Sequence, residues 1–374
     1  MRRRRFLQAS GAIALAGLAP GHATGPVQPA RRPLRILILG GTRFLGLHMT
    51  QYALDRGHRL TFFNRGRTNT DRFPQVERIK GDRNGELGGL AGRDWDAVID
   101  NSGYVPRHVR LAAQMLRASV PHYLFVSTLS VYAGFASAND EDSPLGTLAE
   151  PATETVDGTT YGPLKALCET AARDAYGAGN TTILRPGLLV GPDDNTDRFT
   201  YWPARAARGG RFIAPGRAAD PIQLIDARDL AAFAIETLER RVTGTFNAVS
   251  APSRFTIGEL VDESVAAARS TVVIADAPQP VWLPADFLAA QKVLPWSDMP
   301  VWVPSEGETA GFAATSMRRA AVAGLQIRPL ADTVRDTLRW HRQRPTAEQT
   351  TLKAGLAAER EAAVLAAFLA APKP

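Results

Sequence analysis

Residues 34–46 read LRILILGGTRFLG, a short apolar run that breaks into a glycine-rich turn. Arg35-Ile36-Leu37-Ile38-Leu39 is long enough for one buried strand and too short for a membrane helix. Gly40 and Gly41 permit a tight turn and let a ligand approach the backbone closely. Gly46 falls early in the next helix, expected over His48–Arg56, where the missing Cβ lets helix and strand pack together. The N-terminus of that helix presents free N–H groups and a partial positive charge, which suits a pyrophosphate. The bland alternative is a plain strand-turn-helix corner.

Strand-like and helix-like segments then alternate. Leu60–Phe63, Val76–Ile79, Ala97–Ile99, Tyr123–Val126 and Thr182–Leu184 read as strands; His108–Ser119 and Ala166–Tyr176 read as helices. Apolar strands alternating with helices predict an α/β fold, a Rossmann-type doubly wound parallel sheet covered on both faces. The pattern divides the chain into a leader over 1–24, a Pro-containing linker over 25–33, a dinucleotide-binding core over 34–190 and a smaller substrate-side lobe over 191–346. Ile225–Leu238 returns from that lobe to the core. A C-terminal helix is expected over 347–374, in the Ala/Leu/Glu-rich stretch Ala347–Leu369.

The formal charge is +7, but Arg2, Arg3, Arg4 and Arg5 supply four of those charges, leaving about +3. A balance that mild argues against nucleic acid as a partner. Arg2–Arg5 precede Phe6-Leu7 and an Ala/Gly-rich apolar stretch to Ala19. This resembles a twin-arginine export signal and is a poor membrane anchor, so a periplasmic or extracellular site is expected, with the cytoplasm as the alternative. The single cysteine, Cys168, permits no intrachain disulfide and reads as packing. The six histidines show no ligand spacing, and no metal site is expected.

Tyr161 and Lys165 lie four apart, on one face of a helix that Pro163 tolerates only near its start. An ammonium about 5 Å from a phenol would lower its pKa by roughly two units at an effective dielectric of about 20. Ser127-Thr128-Leu129-Ser130-Val131-Tyr132 closes the fifth strand, which puts hydroxyls at the carboxyl edge where such sheets bind ligands.

Together, the Gly40–Gly46 turn, Asp82, Ser127–Tyr132, Tyr161/Lys165, Arg185-Pro186-Gly187 and Arg228-Asp229-Leu230 resemble the extended short-chain dehydrogenase/reductase superfamily, in its NAD-dependent epimerase/dehydratase branch. That resemblance implies Tyr161 as general acid/base, Lys165 holding the nicotinamide ribose and depressing the tyrosine pKa, and Thr128 polarising the substrate oxygen, in preference to Ser127. It implies a cofactor lining of Gly40, Gly41, Thr42, Arg43, Phe44, Leu45, Gly46, Asn64, Arg65, Asp82, Arg83, Lys165, Pro186 and Gly187. Asp82 would accept from the adenine amino group.

Two departures carry information. Arg43 replaces the second glycine of the fingerprint. Asn64, followed by Arg65 and Arg67, replaces the acidic residue that binds the adenosine ribose. Losing a carboxylate and gaining guanidinium groups favours a 2′-phosphate, hence NADP, with NAD as the alternative; a solvated basic loop is the plainer reading of Arg65 and Arg67. Leu129-Ser130 stand where sugar-nucleotide dehydratases carry an acidic pair, which argues against dehydration. Hydride transfer on a hydroxyl or carbonyl carbon of a small, sugar-like substrate remains, as net redox chemistry or as epimerisation. A cytoplasmic nucleotide-sugar epimerase is the alternative. The GGTRFLG form with Phe62–Gly66 also resembles the subgroup of chloroplast stem-loop RNA-binding proteins, so a non-catalytic or RNA-binding relative is a further reading.

Asp193–Arg217 holds Arg198, Tyr201, Trp202, Arg205, Arg208 and Arg211, either a cleft lining for a sugar-like or anionic substrate or an amphipathic helix with a solvated basic face. Trp282, Trp296 and Trp302 read either as sugar-stacking residues or as packing anchors. Helices that pair such subunits are present, which makes a homodimer an expectation.

Overall fold

The computed structural model describes residues 27–371. The proposed export leader lies outside the described residues. Residues 27–33 form no regular element, and this part of the expected linker is tied down: Ala30 N donates to Arg56 O at 2.8 Å and Arg56 Nη1 to Gln28 O at 2.7 Å.

The core strands are β1 (Arg35–Leu39), β2 (Arg59–Asn64), β3 (Glu77–Lys80), β4 (Ala97–Asp100), β5 (Tyr123–Val126) and β6 (Thr181–Pro186). They are followed by β7 (Leu188–Val190), β8 (Arg211–Pro215), β9 (Pro221–Ile222), β10 (Leu224–Asp226) and β11 (Gly244–Ala248). Seven strands form one sheet in the order β11-β6-β5-β4-β1-β2-β3, every pairing parallel. β11 was not foreseen from the sequence. It extends the sheet beyond β6, with Phe246 opposite Leu184. Its residues, GTFNA, carry one large apolar side chain, so the strand is made by pairing rather than by its own pattern.

Helices α1 (Leu45–Asp55), α2 (Pro106–Leu116), α3 (Tyr161–Tyr176), α4 (Tyr201–Ala207) and α5 (Ala227–Glu239) surround the sheet and its second lobe. The period-2 alternation of β1 sorts the two cores. Ile36 and Ile38 point to the side covered by α1 and α5; Leu37 and Leu39 point to the side covered by α2 and α3. All four are fully buried.

The order reverses between β1 and β4: the chain runs outward through β2 and β3, then crosses to the other side of β1. A crevice opens at such a switch point, at the carboxyl ends of the strands. The Gly40–Gly46 turn, Asn101–Tyr104 and Ser127–Ser130 all leave the sheet there.

The C-terminal stretch is two helices, not one: Thr346–Thr350 and Ala358–Ala370. Between them Lys353 N donates to the fully buried Asp197 carboxylate at 3.1 Å, which holds the backbone out of helical geometry. The second helix returns Glu361 to the core, where it accepts from Arg205 Nε at 2.5 Å. Among the described residues, no helix is long and apolar enough to cross a membrane, and no group of three His, Cys, Asp or Glu is placed to hold a metal ion.

Candidate active site

One cavity of about 1360 Å³ runs across the carboxyl edge of the sheet. Gly40, Gly41, Thr42, Arg43, Phe44 and Leu45 line one end, with Asn64, Arg65, Arg67, Asp82 and Arg83. Thr128, Tyr161, Lys165, Pro186 and Gly187 line the middle. The structure thus brings every residue assigned a catalytic or cofactor-binding role from the sequence to one wall or another of this cavity except Gly46, which sits behind the turn.

Gly41 has φ +84°, and a Cβ there would lie 2.7 Å from the Phe62 ring. A Cβ on Gly46 would lie 2.7 Å from the Gly41 backbone, so the helix can approach the turn this closely only with glycine. The start of α1 has no side-chain cap and no acidic residue in its first turn. The N–H groups of Thr42, Arg43 and Phe44 donate to no acceptor among the described residues. Uncapped donors at a positive helix end form a cradle for an anion.

Asn64 is committed to the turn itself: Nδ2 donates to Gly40 O at 3.0 Å, and Oδ1 accepts from Gly66 N at 2.9 Å. Arg43, Arg65 and Arg67 are exposed and pair with no carboxylate among the described residues. Arg83 differs from them. Its guanidinium turns inward to the fully buried Asp100, with Nη2–Oδ2 at 2.5 Å, so its charge is already matched. Asp82 Oδ1 accepts from Asn84 N at 3.0 Å, closing its own turn.

The centre of the cavity corrects one expectation. Lys165 is almost fully buried, and its Nζ donates to Val126 O at 2.6 Å and Gly103 O at 2.7 Å. It also sits 4.1 Å from the centroid of the Phe125 ring. Burial lowers its pKa to about 8. Tyr161 is not depressed: burial raises its pKa, as does nearby Tyr104, while the Thr128 hydroxyl and the charge of Arg198 pull it back. Lys165 is not among the groups that lower it. The ammonium is engaged by two main-chain carbonyls, which the i,i+4 spacing alone could not reveal.

Thr128 Oγ1 accepts from Ser130 N at 3.1 Å and is hydrogen-bonded to Ser130 Oγ at 3.2 Å, which orients the hydroxyl beside Tyr161. Ser127 Oγ is buried without a hydrogen-bond partner among the described residues. Behind this turn lies a buried frame. Arg185 forks onto Glu169 at 2.9 and 2.7 Å and donates to the Tyr132 hydroxyl at 3.1 Å, which in turn donates to Asn247 at 2.6 Å. It ties α3, β6 and β11 to the end of the Thr128 segment.

The far wall was not foreseen in full. Tyr104, whose ring centroid is 6.3 Å from that of Tyr161, lines it together with Phe135, Trp296 and Phe312. Tyr104 follows β4 as Thr128 follows β5, and that position was the available signal. Of the three tryptophans, Trp296 lines the cavity; Trp302 is a packing anchor bonded to Asp220 at 3.0 Å, and Trp282 lies off the cavity. The basic segment also divides: Arg198 faces the cavity, Arg205 is locked to Glu361, Tyr201 and Trp202 are buried, and Arg211 is exposed. Cys168 is buried, and burial pushes its thiol up to about 12, in keeping with packing.

Residues 36–249 match the family model described as the NAD dependent epimerase/dehydratase family. Among curated relatives, the chloroplast stem-loop binding protein of 41 kDa b of Arabidopsis thaliana is 28% identical over 26% of this chain, and the match spans only 30% of that protein. The epimerase family protein SDR39U1 of Bos taurus is 28% identical over 60% of this chain and 78% of its own length. Among solved structures, the human epimerase family protein SDR39U1 with NADPH superposes with a TM-score of 0.53 at 22% identity, covering 82% of this chain and 99% of its own. The match to the family model spans more than half of the sequence, and the chain belongs to the NAD-dependent epimerase/dehydratase family.

Proposed function

We propose that this protein is an NAD(P)-dependent oxidoreductase or epimerase acting on a hydroxyl or carbonyl carbon of a small, sugar-like substrate, with NADP preferred. The observation that carries this reading is the continuity of one cavity from the uncapped Gly40–Gly46 turn to the Thr128–Tyr161 pair. The residues present fit a dinucleotide: a helix N-terminus with unpaired N–H groups, glycines whose missing Cβ atoms keep the turn tight, and unpaired arginines beyond β2. Thr42–Leu45 would hold the pyrophosphate, Asp82 the adenine, Arg43, Arg65 and Arg67 the 2′-phosphate, Lys165 the nicotinamide ribose, and Pro186-Gly187 the carboxamide side.

When bound, the nicotinamide supplies or accepts the hydride. The protein's part is to handle the proton. With its pKa raised, Tyr161 keeps its proton at neutral pH and is ready to donate it to an oxygen gaining negative charge. Thr128 orients the same oxygen by a second hydrogen bond. Thr128 stabilises the phenolate left behind, which allows the step to run in either direction.

Heat-denaturing the purified protein and assaying the released nucleotide tests the reading. Stoichiometric NADP(H) or NAD(H) supports it; no release, and no binding when either is added back, overturns it and favours a binding protein. Loss of turnover in Tyr161→Phe with nucleotide retained supports the assignment of that residue. We also propose export by the twin-arginine route, supported by Arg2–Arg5 and the apolar stretch after them; Arg3→Lys with Arg4→Lys should leave the chain in the cytoplasm. A homodimer through α2 and α3 is the expected assembly, supported by exposed Leu111, Met115 and Leu167 and testable by solution mass.

A further inference from the structure

Arg198 is the one member of the basic segment that faces the cavity, and its environment is unusual. The side chain is largely withdrawn from water, and burial lowers its pKa. Its Nε donates to Thr196 Oγ1 at 3.2 Å, and the guanidinium lies over Trp296, 5.5 Å from the ring centroid. Neither terminal nitrogen has an acceptor among the described residues, and no carboxylate comes within ion-pair distance. One carboxylate acts on its charge. Asp194 is fully buried, spends Oδ1 on Thr196, has no hydrogen-bond partner for Oδ2 among the described residues, and has its pKa raised by burial, which weakens it as a counter-ion. Glu306 lines the exposed rim of the cavity without pairing with Arg198.

Arg205, in the same segment, shows what the fold does when a guanidinium is structural: it is closed by Glu361 and two carbonyls, whereas Arg208 and Arg211 lie on the exposed side, off the cavity. A withdrawn cation normally finds an anion, because an unpaired one is costly. Arg198 instead keeps its two terminal nitrogens free, over an aromatic ring, and a free guanidinium fork can receive a carboxylate or phosphate through two hydrogen bonds. Arg198 and Tyr161 line the same cavity, so the free donors and the proposed reacting centre face one space.

We propose that the substrate carries an anionic group, a carboxylate or a phosphate, close to the carbon that reacts, and that Arg198 binds it against Trp296. The proposal rests on the reading of the cavity as a nicotinamide-dependent site. It narrows the substrate class to sugar acids, sugar phosphates or hydroxy acids and sets neutral sugars aside. Binding of the anion would cancel the pull of Arg198 on the phenol and leave the Tyr161 proton in place for donation.

The test uses the full chain saturated with NADP, so that the dinucleotide's own phosphate sites are filled. Malonate and inorganic phosphate are titrated separately, with tryptophan fluorescence as the readout, against wild type, Arg198→Gln and Arg198→Lys. The expected result is saturable binding of at least one probe, weakened about tenfold or more by Arg198→Gln and partly kept by Arg198→Lys. The stronger probe identifies the group as carboxylate or phosphate. Retention of nucleotide by both variants shows that they are folded. Binding of neither probe, or equal binding in wild type and Arg198→Gln with nucleotide held at one per chain, overturns the proposal and leaves the nicotinamide reading intact. Failure of every protein to bind nucleotide overturns both.

Discussion

The preference for NADP can be tested at three side chains. Arg43, in the turn after β1, and Arg65 and Arg67, beyond β2, line the cavity and pair with no carboxylate among the described residues, and Asn64 is fastened to Gly40 O instead of offering a carboxylate to a ribose. A hydrogen bond between a guanidinium and a phosphate contributes about 1.5–3 kcal/mol where it is shielded, and an exposed ion pair about 1 kcal/mol or less. These groups are exposed, but on a wall that a bound nucleotide would cover, so the lower end of the first range applies. Two such contacts amount to about 3 kcal/mol, or roughly a hundredfold in Kd between NADP and NAD. Arg65→Gln with Arg67→Gln should bring the ratio of the two dissociation constants to within about threefold of unity, mainly by weakening NADP. Asn64→Asp should reverse the preference, because the new carboxylate repels a 2′-phosphate and accepts from a free 2′-hydroxyl. The ratio should also shrink as salt is raised from about 0.01 to 1 M, since the contacts lie near solvent. Equilibrium titration of both nucleotides by fluorescence gives all of these values. A wild-type ratio near unity, or one that the double variant leaves unchanged, would refute the reasoning and return Arg65 and Arg67 to a solvated loop.

Three further outcomes are expected. Glu169→Gln leaves the buried Arg185 guanidinium without its counter-charge and should lower unfolding stability in urea by about 3–5 kcal/mol, while Glu169→Leu with Arg185→Met should recover most of it. Lys165 has a folded pKa of about 8, below its ordinary value, so the unfolded chain binds more protons between about pH 8 and 10; stability should rise with pH across that window, by no more than roughly 1.4 kcal/mol per unit, and Lys165→Met should flatten that rise. Gly46→Ala places a methyl group 2.7 Å from the Gly41 backbone and should weaken nucleotide binding by about tenfold or more while the far-ultraviolet dichroism stays near wild type.

The sheet was legible because its strands are apolar and its helices periodic: Tyr123–Val126 is a strand with the bounds read from the sequence, and Leu60–Phe63 lies within β2. β11 escaped because Gly244–Ala248 gains its conformation from β6 and not from its own residues. The break in the C-terminal stretch escaped because Asp197, far away in the chain, causes it. The glycine turn and the hydroxyls at the strand ends were legible for a positional reason, since a parallel sheet fixes which strand ends share an edge. The far wall was not, because Trp296 and Phe312 reach the cavity through a lobe without a repeating pattern. Arginine composition also could not separate Arg198 from Arg205; only the partner each one finds does so.

The placement of Lys165 alters how the proton chemistry of this site is best understood. A lysine one helical turn from a tyrosine invites a direct electrostatic pairing. Here the ammonium is spoken for by the Val126 and Gly103 carbonyls, at the ends of the β5 and β4 segments that frame the crevice. It therefore fastens α3 to the sheet edge and fixes the height of Tyr161 above it. The positive charge that the phenol feels comes instead from Arg198, in the other lobe. Burial does most to set the acidity of Tyr161, and Arg198 trims it from the substrate side of the cavity, so an anionic substrate would change it on arrival. Arg198→Gln should accordingly shift the tyrosine's pKa upward even with no substrate present, whereas Arg198→Lys should shift it less. A pH profile of turnover would register both changes, and a profile indifferent to residue 198 would return the control of that proton to Lys165.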